Sequence, residues 1–280
     1  MNIGVNLEFA RTDNLSATQA MKQAAEAGYE YVEPYVYSDI RMPINSHLVL
    51  RTDTPYHHFH TSQTDVTAIN QLREDLGLSF SAVDAHCSLL LAQFGTEYLK
   101  AAIDFAARTA CPIVMSDEGP LSLDWMDLDK SFDLMCFALE QVVKYSRSRG
   151  VKYAMELHNA LTAQPDYVVK LLSRFGPDDL GVNFDTGNSF LAGNDPVEYL
   201  ERIADRVIHV HVKDIPKSQL DQRGKVTGTR VGVAAGDGEV DSPGIIELLD
   251  NAGYDGVLSV ECDTFDQARR SLAYLRGLIK

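Results

Sequence analysis

Hydrophobic and polar positions alternate along this chain in two repeating patterns. Short apolar runs typical of buried strands are each followed by a stretch with the 3.6-residue apolar spacing of an amphipathic helix. Eight such pairs follow one another with no linker or low-complexity tract between them. The predicted strands cover residues 2–7, 29–35, 78–86, 112–119, 151–157, 180–185, 206–214 and 256–261. The predicted helices cover residues 17–28, 65–77, 96–110, 129–150, 165–176, 195–205, 242–253 and 265–279.

Alternating strands and helices predict a parallel sheet with helices packed on it. A closed barrel of eight strands takes roughly 250 residues, and this chain has 280. No G-x-G-x-x-G motif follows the first strand, which disfavours an open dinucleotide-binding sheet. We therefore predict a single-domain α/β protein, a (β/α)8 TIM barrel, over residues 1–280. The long polar segment at about residues 36–64, after the second strand, is a candidate lid.

Four of the predicted strands end on a residue that can bind a hard or borderline cation. These residues are Glu156, Asp185, His211 and Glu261. The carboxyl ends of barrel strands open onto one face, so we expect the four side chains to converge there. Three carboxylates and one imidazole suit Mn²⁺, Mg²⁺ or Co²⁺, and Zn²⁺ is also within their range. Any one of them alone would more simply be a turn residue, a helix cap or a core histidine.

Other polar residues at or near strand ends are candidates for substrate contacts: His86, Glu118 and His158. Each could equally be a turn residue or a hydrogen-bonding residue of the fold. Histidines at positions 57, 58 and 60 lie in the long segment without the support of a strand end or helix face. We therefore do not predict a metal site there.

The net charge of −15 and the pI near 4.9 disfavour a nucleic-acid-binding surface, which needs clustered Lys and Arg. The four cysteines lack metal-binding spacing and predict reduced thiols in a cytoplasmic protein. Neither a signal peptide nor a membrane-spanning run is expected, so we expect no membrane partner.

The segments GYEYVEPY, YAMELHN, NFDTGN, VIHVHVKD, TRVGVAAGDGEVD and GYDGVLSVECD together resemble the sugar phosphate isomerase/epimerase superfamily. These xylose-isomerase-like barrels include ketose 3-epimerases, inosose dehydratases and the endonuclease IV group. The resemblance implies one divalent metal, most often Mn²⁺, held by Glu156, Asp185, His211 and Glu261. It also implies that Glu156 and Glu261 act as acid and base, that Arg230 contacts substrate, and that a homo-oligomer, a dimer or tetramer, forms.

One position departs from the tagatose-type epimerases, which tend to carry a substrate-binding His three residues after the ligand Asp. Here that residue is Asn188. Our first hypothesis is a metal-dependent sugar isomerase or epimerase that moves a proton beside a carbonyl through an enediolate, resembling the ketose 3-epimerases. The alternative is a dehydratase or lyase of a keto-polyol on the same site. A nuclease and a non-catalytic sugar-binding barrel are less favoured. A phosphate group usually needs helix N-terminal amides or several Lys and Arg nearby, and Lys213 and Arg230 are the only obvious candidates in the sequence. We therefore expect an unphosphorylated small carbohydrate or keto-polyol substrate.

Overall fold

A computed structural model describes residues 1–38, 40–41, 49–50, 55–119, 126–230 and 232–279. Its strands are β1 (Asn2–Asn6), β2 (Tyr31–Glu33), β3 (Val36–Tyr37), β4 (Ile40–Arg41), β5 (Val49–Leu50), β6 (Phe59–His60), β7 (Ser79–Phe80), β8 (Val83–Asp84), β9 (Ile113–Ser116), β10 (Lys152–Glu156), β11 (Gly181–Asp185), β12 (Val207–Val212) and β13 (Val257–Val260). Its α-helices are α1 (Phe9–Thr12), α2 (Ala17–Ala27), α3 (Val66–Asp75), α4 (Ala92–Arg108), α5 (Leu128–Ser148), α6 (Pro165–Arg174), α7 (Thr186–Leu191), α8 (Pro196–Glu201), α9 (Ser242–Asn251) and α10 (Phe265–Leu278). Two 3₁₀ helices cover Ala204–Arg206 and Lys217–Gln222.

The main sheet is parallel and has the order β7-β2-β1-β13-β12-β11-β10-β9-β8. The segments β7 and β8 are the two halves of the predicted third strand. Because β7 pairs with β2 and β8 pairs with β9, this divided strand closes the sheet on itself. Eight barrel strands with helices between them confirm the predicted (β/α)8 barrel.

Several helices begin at a residue whose side chain caps the first turn. Ser16 and Gln19 form a capping box at the start of α2, and Thr264 with Gln267 does the same for α10. Gly28 ends α2 in the left-handed conformation, with φ of 93°. The buried faces of the helices pack on the outside of the sheet in one continuous core.

The candidate lid lies partly outside the described residues, since 39, 42–48 and 51–54 are among those that the structure does not describe. Its described ends pair with each other, since β3 pairs with β6. They also contact the barrel, because the hydroxyl of Tyr98 on α4 donates to the carbonyl of Val36 at 3.1 Å. A lid function for this segment stays a prediction.

The four cysteines are free thiols, and Cys111, Cys136 and Cys262 are buried. None of the helices in the described ranges is long and apolar enough to span a membrane.

Candidate metal centre and substrate cavity

The four predicted ligands converge at the carboxyl ends of neighbouring strands. Glu156 ends β10, Asp185 ends β11, His211 lies in β12, and Glu261 directly follows β13. One ligand atom from each lies within 4.8 Å of the others, and all four side chains are buried. Nδ1 of His211 is 3.5 Å from Glu156 Oε1 and 3.2 Å from Glu261 Oε2.

Each member of this group presents a buried atom that no described residue satisfies by hydrogen bonding. These atoms are Glu156 Oε2, Asp185 Oδ2, His211 Nδ1 and Glu261 Oε2. Buried polar atoms normally have partners, and adjacent carboxylates repel unless a positive charge lies between them. Three carboxylate oxygens and one imidazole nitrogen therefore fit a divalent cation such as Mn²⁺, Mg²⁺, Co²⁺ or Zn²⁺.

Glu33, at the end of β2, fixes the orientation of His211. Its Oε1 lies 2.8 Å from His211 Nε2, while Ser259 and Asn6 donate to its oxygens at 2.6 and 3.0 Å. With Nε2 bonded to a carboxylate, His211 presents Nδ1 to the other three ligands. This is the usual carboxylate–histidine–metal arrangement. From the sequence, Glu33 lies within the predicted strand 29–35 and had no predicted role.

Lys213 lies among the carboxylates rather than free for a phosphate. Its Nζ is 2.7 Å from Glu261 Oε1 and 3.9 Å from Asp185 Oδ2, and the side chain is buried. Burial would lower the pKa of Lys213, but Glu261 and Asp185 hold that pKa above its usual value. The period of two from His209 through His211 to Lys213 could have predicted that all three point inwards.

The ionisation of the carboxylates differs within the group. Burial raises the pKa of Asp185 to about 7, and the charge of Glu261 adds to this rise against the opposing effect of Lys213. Burial acts on Glu261 in the same direction, yet Lys213 and His211 hold the pKa of Glu261 well below its usual range. These directions favour the ionised form of Glu261, whereas Asp185 holds a proton more readily.

A cavity of about 410 Å³ opens beside these groups and reaches Glu156 and Glu261. Of the predicted substrate contacts, His86, His158, Asn188 and Arg230 line it. Glu118 does not, because its Oε2 accepts from the Thr162 hydroxyl at 2.7 Å and its Oε1 from the amide of Leu161 at 2.7 Å. Glu118 therefore fixes the loop after β10 and does not face the cavity.

Asp117 joins the two histidines of the cavity wall. Its Oδ2 is 3.5 Å from His86 Nδ1 and 3.2 Å from His158 Nδ1, and it accepts from the Asn159 side chain at 2.6 Å. Burial lowers the pKa of His158, but Asp117 and Glu156 outweigh this and raise it above its usual value. The result is an acid–base pair at the cavity surface.

The loop that carries Arg230 closes over His158 and Asn188. A Cβ at Gly228 would stand 2.4 Å from Cδ2 of His158 and 2.9 Å from Oδ1 of Asn188. Only glycine allows this approach. The amide of Thr229 also donates to Asn188 Oδ1 at 3.3 Å.

Comparison with known proteins assigns this barrel to a family. The model of the xylose isomerase-like TIM barrel family matches residues 21–278, and the chain belongs to that family.

Two curated relatives are inosose dehydratases. The protein of Lacticaseibacillus casei is 28% identical over 162 residues, which are 52% of this chain and 54% of that protein. The chain thus spans about half the length of that relative in the match. The protein of Mesomycoplasma hyopneumoniae (strain J) is 25% identical over 283 residues, covering 95% of this chain and 90% of that protein.

Two solved structures share the fold. A D-tagatose 3-epimerase-like protein aligns with a TM-score of 0.79 and 20% identity over 99% of this chain and 97% of that one. The IOLI protein, described with a bound zinc atom, aligns with a TM-score of 0.79 and 13% identity over 99% and 98% of the two chains. At these identities the likeness concerns the fold alone.

Proposed function

We propose that this protein is a divalent-metal-dependent lyase that removes the proton beside the carbonyl of a keto-polyol and eliminates the hydroxyl on the next carbon, a reaction of the inosose dehydratase type. The observation that carries the proposal is the shared cavity. Glu156 and Glu261, two of the four ligands, line the same cavity as the Asp117–His158 pair. The curated relatives named above support elimination over epimerisation.

When bound by Glu156, Asp185, His211 and Glu261, a divalent ion would polarise a carbonyl and acidify the neighbouring C–H. Glu156 and Glu261 are the carboxylates next to that position, and either accepts the proton in ionised form. His158 has Nδ1 turned towards Asp117, which leaves Nε2 to give a proton to the departing hydroxyl.

The first hypothesis, an epimerase, needs a second carboxyl group that returns a proton to the opposite face of the carbon. Glu156 and Glu261 both line the cavity and would serve in either reaction. The inosose dehydratases among the relatives are therefore what favours elimination. The ion identity, with Mn²⁺ as the first choice, is part of the same proposal.

Proton NMR in D₂O tests the reaction directly. The protein, supplied with Mg²⁺ or Mn²⁺ and then freed of excess ion, would be incubated with inososes, ketoses and aldoses. We expect loss of water from an inosose together with exchange beside the carbonyl. Exchange with a new stereoisomer and no loss of water would restore the epimerase hypothesis. Exchange with none of them would refute both.

Two substitutions connect the reaction to the site. Glu156→Gln and Glu261→Gln should each reduce turnover by at least about 1,000-fold, since each removes a ligand charge and a proton-transfer group. Glu140→Gln, on the outer surface of α5, is the matched control. Retention of near-wild-type rates by either site variant would rule out the assignment.

A further inference from the structure

A second group of polar side chains lines the cavity without contributing to the four ligands. It consists of Glu8 and Arg11, which follow β1, and His58, which precedes β6. From the sequence, Glu8 and Arg11 had no predicted role, and His58 belonged to the candidate lid, where no metal site was predicted. In the structure Glu8 is only 8% exposed, and the neighbouring His57 is buried against Arg11.

The charges of this group are already paired. Arg11 lies 2.6 Å from Glu8 Oε1, just as Lys213 lies 2.7 Å from Glu261. Lys213 is thus neutralised by Glu261 before any ligand binds, and Arg11 is neutralised by Glu8 above the pKa of about 7 to which burial raises the Glu8 carboxyl group. A phosphate dianion placed here would meet Glu8 and Glu261 as well as the cations, and it would have to compete with these ion pairs.

Some polar atoms of this group have no hydrogen-bond partner among the described residues. Glu8 Oε2 and both ring nitrogens of His58 are buried and have no hydrogen-bond partner among the described residues. Buried polar atoms of this kind normally find a partner. Burial, assisted by His57 and Arg11, lowers the pKa of His58 to about 3, so its imidazole is neutral and has one donor and one acceptor.

An aromatic surface lies beside these atoms. The rings of Tyr35 and His58 stack with centroids 5.0 Å apart, and Tyr37 and Tyr98 line the cavity next to them. Flat aromatic faces suit the C–H surface of a sugar or cyclitol ring. A hydroxyl group both donates and accepts a hydrogen bond, and the neutral imidazole of His58 offers one acceptor and one donor.

We propose that Glu8, Arg11 and His58 form a second subsite, which binds the hydroxyl groups of an uncharged polyhydroxy ring and selects against phosphorylated sugars. This inference rests on the proposed function only in placing the substrate in this cavity. Hydroxyl groups of the ring would hydrogen-bond to Glu8 Oε2 and to the ring nitrogens of His58. Arg11, already paired with Glu8, would not be available to bind an anion.

The test compares a neutral probe, myo-inositol, with an anionic one, myo-inositol 1-phosphate. Binding of each to the full chain would be measured by calorimetry, with Mg²⁺ present throughout so that the four ligands contribute equally in every protein. The wild-type protein should bind the neutral probe more tightly. Glu8→Gln should weaken that binding about tenfold and strengthen binding of the phosphate about tenfold, since Arg11 is then unpaired.

Three further variants locate the effect. In Glu8→Gln/Arg11→Gln the gain for the phosphate should disappear, because it depends on the released guanidinium. Glu8→Asp keeps the charge with a shorter reach and should weaken inositol binding without a phosphate gain. Asp166→Asn breaks an exposed ion pair with Arg202 of similar length, 2.7 Å, and should change neither affinity.

Equal or tighter wild-type binding of the phosphate would overturn the inference, as would Glu8→Gln affinities equal to those of the wild type, or binding of neither probe. The outcome is separable from the proposed reaction. If D₂O exchange fails while the preference for inositol and its response to Glu8→Gln hold, the reaction is wrong and the subsite stands. If exchange succeeds without that preference, the subsite is wrong.

Discussion

At the scale of single residues, the site depends on pairs of groups that set one another's ionisation and orientation. Glu33 pairs with His211, Lys213 with Glu261, and Asp117 with His158. In each pair one side chain faces the cavity or the ligand group, and the other sets its protonation state or its orientation. Substitution of the second member should therefore change a measurable property of the first.

Glu33→Gln should weaken metal binding by about 10- to 100-fold, because His211 loses the carboxylate that orients it and raises its basicity. Titration calorimetry with Mn²⁺ measures this directly, without an activity assay. Glu30→Gln, three residues earlier and exposed, is the matched control. An unchanged dissociation constant would show that Glu33 only supports the core.

Asp117→Asn should move the pH dependence of kcat/KM. If His158 acts as the proton donor, the rate falls as pH rises through the pKa of His158. Asp117 raises that pKa, so its removal should shift the fall by about one pH unit towards lower pH. Asp133→Asn, at an exposed pair with Arg174, should leave the profile in place. A shift towards higher pH would contradict the role given to His158.

At the scale of elements, the ends of the strands carry the chemistry and the following segments shape it. Asp185 ends β11 and also caps α7, since its Oδ1 accepts from the amide of Asn188 at 2.7 Å. One residue thus serves as candidate ligand and helix cap, which brings Asn188 to the cavity wall. The helix α7 was not predicted from the sequence. Its six residues directly follow a strand and are too few to show the apolar spacing of a helix.

The loop before Arg230 depends on the missing side chain of Gly228. Gly228→Ala places a methyl group against His158 and Asn188, so we expect kcat/KM to fall by about 100-fold with the melting temperature nearly unchanged. Gly277→Ala, where a Cβ meets nothing within 4 Å, is the control. If both variants retain wild-type kinetics, the loop does not fix the cavity wall.

At the scale of the whole molecule, folding brings several carboxylates into one buried space, and a cation would balance them. In the metal-free protein, burial raises the pKa of Asp185 to about 7, above its value in an unfolded chain. Between about pH 4 and about pH 7 the folded form binds a proton that the unfolded form releases, so the contribution of Asp185 to stability falls as pH rises through this window.

Metal binding should replace that proton. We therefore expect Mn²⁺ to raise the melting temperature more at about pH 8 than at about pH 5.5, where protons compete for the ligands. Differential scanning calorimetry at both pH values, with and without the ion, measures this. Asp185→Asn should reduce the pH dependence of the effect. A larger rise at the lower pH would contradict the assigned ligand group. The predicted dimer or tetramer stays a prediction.

The sequence determined the barrel and the positions of the four candidate ligands. Strand and helix periods are local properties, and the period of two in a strand decides which residues share a face. Parallel strands then bring their carboxyl ends together, so Glu156, Asp185, His211 and Glu261 could be grouped before any coordinates were known.

Only the tertiary structure decided which side chains support that group and which form the rest of the cavity. Glu33 meets His211 across 178 positions of the chain, and Arg11 contacts a histidine from the long segment that precedes β6. Glu118, in turn, points to Thr162 and away from the cavity. Such contacts depend on closure of the barrel, which brings together residues far apart in the chain, and a local pattern in the sequence does not encode them.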